Sequence, residues 1–165
     1  MTMEANAVST ARVALTAYEL AQRFVGVREV PGAASNPQVL AMLKLDAEWA
    51  GNDEVPWCSA FVNYIAWLLR LPRSKNLRAR SWLEVGMPVA VEAAEIGFDV
   101  VVLQRGEGVQ PGPEDTNAPG HVGFYAGTSG DHVVLLGGNQ KDAVRLSMYL
   151  KARILGVRRI APGLG

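Results

Sequence analysis

Apolar residues in the first half of the chain recur at the spacing of amphipathic helices. Over residues 11–24 they fall every three or four positions, with Ser9 placed to cap the helix and Gly26 to end it. A shorter helix is predicted from Pro37, because proline suits the first helical position. Residues 58–69 are apolar on almost every side, which predicts a central helix packed against several neighbours.

After Gly97 the pattern changes to short segments rich in valine and leucine, separated by turns that contain glycine. Such segments predict antiparallel strands, here at residues 98–103, 122–126, 133–136, 144–146 and 154–157. A short helix is expected around residues 80–85, and the Gly- and Pro-rich stretch 105–120 is expected to be a mobile loop. Helices followed by strands predict an α+β fold, with the N-terminal helices packed on one face of a C-terminal antiparallel sheet.

Composition narrows the class of protein. At 165 residues the chain is most simply one domain spanning residues 1–165. Its 16 basic and 16 acidic residues cancel, so no nucleic-acid partner is expected. Residues 1–10 lack the features of a signal peptide, and the longest apolar stretch, residues 60–71, is too short to span a membrane. We therefore expect synthesis in the cytoplasm and no integral membrane segment.

The single cysteine, Cys58, lies where a polar loop passes into the apolar helix. One cysteine cannot form an intramolecular disulfide. A thiol at a helix N-terminus is biased toward the thiolate, and the N–H groups of the first turn could also stabilise an oxyanion. These properties suit a catalytic nucleophile. The alternative is a small buried hydrophobic residue, since free cysteine is among the most buried residue types.

Two histidines and one asparagine are candidate partners of Cys58. His121 begins a predicted strand, and Gly123 leaves open space beside its imidazole. Alternation does not settle which face of the sheet His121 occupies, and a purely structural hydrogen bond is its alternative role. His132 lies in a turn and is expected to face solvent. Asn139 follows two glycines, where its amide could orient the histidine or where it could serve only as a left-handed turn residue.

Metal and cofactor sites are not expected. Cys58, His121 and His132 could be three zinc ligands, but no pair shows the close spacing typical of zinc sites. The acidic stretch 46–54 lacks the alternating oxygen ligands of a calcium loop, and it is expected to be a solvated loop. The chain carries no phosphate-binding or dinucleotide motif.

Several blocks of sequence, taken in their order along the chain, resemble one bacterial and prophage family. They are GVREVPG at 26–32, EVPWCSAFV at 54–62, RSW at 80–82, GHVGFY at 120–125 and LGGNQ at 136–140. The family lies within the CHAP (cysteine, histidine-dependent amidohydrolase/peptidase) and NlpC-like papain-fold superfamily, and the resemblance runs from about residue 15 to residue 160. It implies a papain-like α+β fold with the nucleophile at the N-terminus of a central helix.

By position, the resemblance makes Cys58 the nucleophile and His121 the general base. Many CHAP domains carry a glutamate as the third group at the position of Gly137 here. Asn139 keeps the asparagine that follows two residues later, and it is the expected orienting residue. The alternatives are Gln140 and Asp142.

The resemblance also implies a function. The expected reaction is cleavage of an amide bond in the peptide stem of peptidoglycan, through a thioester and without a cofactor, as an N-acetylmuramoyl-L-alanine amidase or an endopeptidase. The expected setting is a monomeric, endolysin-like enzyme that reaches the cell wall after release from the cytoplasm. An amidase toxin against a competitor's wall and a non-catalytic wall-binding or phage structural module are alternatives. Trp57, Arg80, Trp82 and Gly123 are candidate substrate-binding residues, although packing near the cleft is favoured for the two tryptophans and a surface or structural role is favoured for Arg80.

Overall fold

The computed structural model describes residues 14–32, 34–53 and 55–163. Within them, three helices come first: α1 (Ala17–Gln22), α2 (Pro37–Lys44) and α3 (Cys58–Leu68). A 3-10 helix, Ala79–Glu84, leads to the strands β1 (Met87–Val89), β2 (Asp99–Gln104), β3 (Gly120–Ser129), β4 (His132–Gln140), β5 (Ala143–Leu150) and β6 (Ile154–Arg159). Shorter 3-10 turns, Val91–Ala93 and Lys151–Arg153, precede β2 and β6.

The six strands of the described chain form one antiparallel sheet in the order β1-β6-β2-β3-β4-β5. This confirms the predicted α+β class, and the five predicted strands correspond to β2 through β6. Strand β1 was missed, because it has three residues and Pro88 at its centre. It lies at the edge of the sheet, where a residue without an N–H group is tolerated.

Helix α1 is shorter than the helix predicted over residues 11–24. It begins at Ala17 because Thr16 and Glu19 form a capping box. The hydroxyl of Thr16 accepts from the N–H group of Glu19 at 3.1 Å, and the carboxylate of Glu19 accepts from the N–H group of Thr16 at 2.8 Å. The predicted cap, Ser9, lies outside the described residues. Helix α2 starts at its predicted proline.

Helix α3 packs against both other helices and against strands β3 and β4, as expected of a helix without a polar face. Phe61, Val62 and Ile65 are fully buried, and the ring of Phe61 meets that of Phe124 edge to face at 6.1 Å. Each such side chain contributes about 1.5–3 kcal/mol on burial, so the helix start that carries Cys58 is firmly held. Among the described helices none, α3 included, is long and apolar enough to cross a membrane.

The centre of the sheet is buried on both faces. Val100 and Val102 of β2 face the helices and join the main core. Val101 and Leu103 point the other way and join a second apolar cluster with residues of β4 and β6. Because β3 and β4 are antiparallel, the start of β3, which carries His121, lies beside the end of β4, which carries Gln140.

Candidate active site

Cys58 is the first residue of α3, and no described side chain caps this helix start. The preceding Trp57 has φ −124° and ψ 17°, and its carbonyl accepts the first helical hydrogen bond from the N–H group of Phe61 at 2.9 Å. The N–H groups of the first turn therefore keep their partial positive charge for a group that approaches the end of the helix. Such donors stabilise a thiolate, and they can also stabilise an oxyanion that develops beside it.

Cys58 and His121 form a buried acid–base pair, with residue exposures of 3% and 6%. Burial by itself raises the pKa of Cys58, but the hydrogen bond and the charge of His121, aided by the N–H group of Val122 and the charge of Arg105, outweigh it and lower the thiol pKa below its usual value. For His121, burial lowers the pKa, and the hydrogen bond and charge of Cys58 outweigh that effect, so the imidazole pKa is raised. The opposite shifts favour a thiolate–imidazolium pair, which is the reactive form of a cysteine nucleophile.

Gln140 sets the tautomer of His121. Its side-chain oxygen, Oε1, lies 3.0 Å from Nε2 of His121. The amide nitrogen of Gln140 donates to the main-chain oxygens of Leu135, at 3.3 Å, and of Arg145, so the amide oxygen is the end that faces the imidazole. Nε2 of His121 therefore carries the proton in this bond, which leaves Nδ1 to exchange a proton with the thiol.

The residue that contacts His121 is Gln140 and not Asn139, which the sequence favoured. In the β3–β4 ladder Phe124 lies opposite Leu136, and that register, continued without interruption, would place Asn139 opposite His121. Strand β4 is bulged just before Gln140, and Asn139 has a left-handed φ of 55°. A bulge re-aims the side chains that follow it. Here the bulge brings Gln140 onto the imidazole.

Tyr149, on strand β5, is a further neighbour of the pair that the sequence did not suggest. Its ring centroid lies 5.3 Å from that of His121, and its hydroxyl donates to Oε1 of Gln140 at 3.0 Å. Burial is the main cause that raises the pKa of Tyr149 to about 12, so the hydroxyl keeps the proton that it donates. No local pattern marks this residue, because its position depends on the pairing of β5 with β4.

Arg80 is fully buried and anchors the loop that leads to His121. Its Nε and Nη1 groups donate, over distances between 2.6 and 3.1 Å, to the main-chain oxygens of Pro111, Gly112, Asp115 and Pro119. Nη2 is also buried and has no hydrogen-bond partner among the described residues. The donors point into the protein, which supports the structural role for Arg80 over the substrate-binding one.

The other candidate substrate-binding residues also occupy packing positions. Trp57 and Trp82 are fully buried, and their indole N–H groups donate to the carboxylate of Glu29 at 2.6 Å and to the hydroxyl of Ser59 at 3.0 Å. Gly123 does not open a space as expected. A β-carbon there would lie 3.1 Å from a side-chain carbon of β4, so this glycine permits the close approach of β3 and β4.

The second histidine is separate from the site. His132 begins β4, with its Nδ1 at 2.6 Å from the carboxylate of Asp131 and its side chain 36% exposed. It therefore faces solvent, as expected. Across residues 14–32, 34–53 and 55–163, no three histidine, cysteine, aspartate or glutamate side chains are grouped closely enough to hold a metal ion.

The acidic stretch 46–54 is more than the solvated loop that the sequence predicted. Asp53 is fully buried, and its Oδ2 accepts hydrogen bonds from the N–H groups of Val30 at 2.9 Å and Asn36 at 2.7 Å. Asp46 forms an ion pair with Arg73 at 3.0 Å. The carboxylate of Asp53 thus connects this stretch to residues 30 and 36, and that of Asp46 connects it to residue 73.

A cleft of about 290 Å³ gives access to the thiol. It is lined by Cys58, by Pro56 and residues 77–79, and by Arg105 with residues 117–120. A carbonyl group that entered this cleft would meet the sulfur and the N–H groups of the helix start together. The site therefore contains the parts that acyl transfer requires: a nucleophile, a base, an orienting group and oxyanion donors. No family model and no curated protein sequence matches the chain.

Proposed function

We propose that the protein is a papain-like cysteine hydrolase that cleaves an amide bond in the peptide stem of bacterial peptidoglycan. The observation that carries the proposal is the buried Cys58–His121 pair at an uncapped helix start, with the far side of the imidazole held by Gln140. This arrangement supports the reaction class. The peptidoglycan substrate rests on the sequence blocks that resemble CHAP and NlpC-like domains.

The first half of the reaction forms a thioester. The thiolate of Cys58 attacks the carbonyl carbon of the scissile amide, and the carbonyl oxygen becomes an oxyanion facing the N–H groups at the start of α3. His121 then transfers its Nδ1 proton to the nitrogen of the leaving amine. The C–N bond breaks, the amine departs, and the acyl group stays bound to sulfur.

The second half regenerates the enzyme. Neutral His121 takes a proton from a water molecule at Nδ1, and the hydroxide attacks the thioester carbonyl. The C–S bond breaks, so the carboxylic acid product departs and the thiolate–imidazolium pair forms again. The proton that His121 gave to the amine is thus replaced from water.

A neutral amide in the third position suits this cycle. A carboxylate beside Nε2 would stabilise the imidazolium strongly and so oppose release of its proton to the leaving amine. The amide oxygen of Gln140 accepts one hydrogen bond from the imidazolium without adding a negative charge. It orients the ring, as the third group of a catalytic triad does, and leaves His121 a stronger acid.

Digestion of purified peptidoglycan, with mass spectrometry of the soluble fragments, tests the proposal. Wild type is expected to release fragments, and Cys58→Ala and His121→Ala to release none. His132→Ala is the matched control, because it removes the other, solvent-facing histidine, and it should digest as wild type does. Fragment masses identify the amide that is cut. A wild type that releases nothing, or a Cys58→Ala variant that releases the same fragments, would refute the proposed function.

A further inference from the structure

The cleft beside Cys58 is lined by positive charge without a compensating acid. Arg78 and Arg105 both line it, and both are exposed. No aspartate or glutamate is among its lining residues. In the described part of the chain neither arginine forms an ion pair. Nη1 of Arg78 donates a hydrogen bond to the side-chain oxygen of Asn117 at 2.6 Å, which positions the guanidinium. The other N–H donors of Arg78 remain for a ligand.

Arg105 is close to the reacting groups as well as to the cleft. Its positive charge helps to lower the pKa of Cys58, and it also opposes protonation of His121. A ligand group held by Arg105 would therefore lie near the amide that Cys58 attacks. Arg78 lines the same cleft and also an adjoining groove of about 470 Å³, which shares Pro56, Leu77 and Arg78 with it.

We propose that Arg78 and Arg105 bind a carboxylate of the substrate beside the scissile amide, so that the enzyme selects acidic stem peptides over their amidated forms. The inference rests on the proposed function and adds its specificity. A guanidinium presents paired donors that match a carboxylate, and such charge-assisted bonds are stronger than neutral ones. With no acid in the cleft wall, the two arginines lose no protein partner when the substrate binds.

The direct test measures binding, with the catalytic thiol removed. Cys58→Ala is titrated calorimetrically with the synthetic stem peptide L-Ala-γ-D-Glu-L-Lys, first with both α-carboxylates free and then with both amidated. The dicarboxylate is expected to bind about tenfold more tightly or better, the size typical of a hydrogen-bonded charge. In the Cys58→Ala background, Arg78→Gln with Arg105→Gln should abolish that preference. Arg23→Gln, which removes an exposed arginine at the end of α1 and outside the cleft lining, should leave it intact.

Digestion of peptidoglycan is measured as well, so that the proposed carboxylate site and the proposed hydrolase activity can be refuted separately. If wild type digests peptidoglycan but Cys58→Ala binds both peptides equally, or binds neither, the carboxylate site is refuted and the hydrolase stands. If the dicarboxylate is preferred through Arg78 and Arg105 but Cys58-dependent digestion is absent, the binding site stands and the hydrolase is refuted. Equal loss of preference in the Arg23→Gln control would also overturn the assignment, because it would show an effect of overall charge.

Discussion

Replacement of Gln140 by leucine should weaken the ionisation of Cys58. Leucine keeps most of the side-chain volume but cannot accept the hydrogen bond that His121 donates from Nε2. A hydrogen bond to a charged group contributes about 1.5–3 kcal/mol, which corresponds to about one to two pKa units. The sign follows from the charged form: the imidazolium loses its acceptor, so the pKa of His121 falls. The thiolate then loses part of its counter-ion, so the pKa of Cys58 rises.

The assay is the rate of alkylation of Cys58 by iodoacetamide as a function of pH. Cys58 is the only cysteine of the chain, so the reaction reports one site. In wild type the thiolate persists to lower pH than in an ordinary thiol, because the pKa of Cys58 is lowered by His121. In Gln140→Leu the pH at which the alkylation rate is half-maximal should rise by about one to two units. Circular dichroism at each pH checks that both proteins are folded.

Two variants make the result specific. Asn139→Gly removes the neighbouring amide without backbone strain, since glycine readily adopts the left-handed φ of 55° found there, and it should leave the alkylation profile unchanged. Gln140→Glu places a carboxylate on the imidazolium and should shift the profile downward. A profile that moves in Asn139→Gly but not in Gln140→Leu would refute the argument from the bulge and restore Asn139 as the orienting residue.

Three further substitutions test the supports of the site. Tyr149→Phe removes one hydrogen bond to Gln140 but keeps the ring beside the imidazole; kcat/KM for a stem peptide should fall by up to about tenfold, with normal urea unfolding. Arg80→Met leaves the bonded loop oxygens without a donor, and equilibrium urea unfolding should show a loss of at least about 3 kcal/mol; an unchanged midpoint would contradict the anchoring role. Asp53→Ala removes the buried carboxylate that accepts from the N–H groups of Val30 and Asn36, and it should cost about 1–3 kcal/mol in the same measurement, with little change in Cys58 alkylation.

The layout of the fold could be predicted because hydrophobic patterning determines it. The apolar surface of α3 predicted its central position, and the valine-rich segments after Gly97 predicted strands. The predicted length of helix α1 was too great, because a repeat of apolar residues does not show where a capping box starts the helix. The capping box here depends on two polar side chains, those of Thr16 and Glu19. Strand β1 escaped prediction because its pairing with β6 is a long-range contact that three residues cannot signal.

The candidate site was predictable in its chemistry but not in its third residue. Cys58 and His121 were candidates by residue type at a helix start and a strand start, with a structural role as the alternative for each, and the sequence blocks that resemble CHAP and NlpC-like domains predicted their roles. The choice between Asn139 and Gln140 depended on a single-residue bulge, which reverses the faces of a strand and has no reliable local signature. For Arg80 the sequence favoured a surface or structural role over substrate binding, but it did not show which loop the side chain would hold. A charged residue is normally exposed, and its complete burial becomes intelligible only when the loop oxygens around it are seen.

The way Arg80 holds its loop has a consequence for how this protein can diversify. All its described partners in the loop are main-chain oxygens, which every amino acid provides. The hydrogen bonds from Arg80 therefore do not depend on the side chains of the loop. One of those side chains, that of Asn117, lines the cleft. Asn117 and Ala118 can exchange their side chains, in evolution or in a designed library, while Asp115 keeps accepting hydrogen bonds from their main-chain N–H groups and the path of the chain into His121 is preserved. If the proposed function holds, selection for a new substrate can thus change these cleft-lining side chains without disturbing the Cys58–His121 pair.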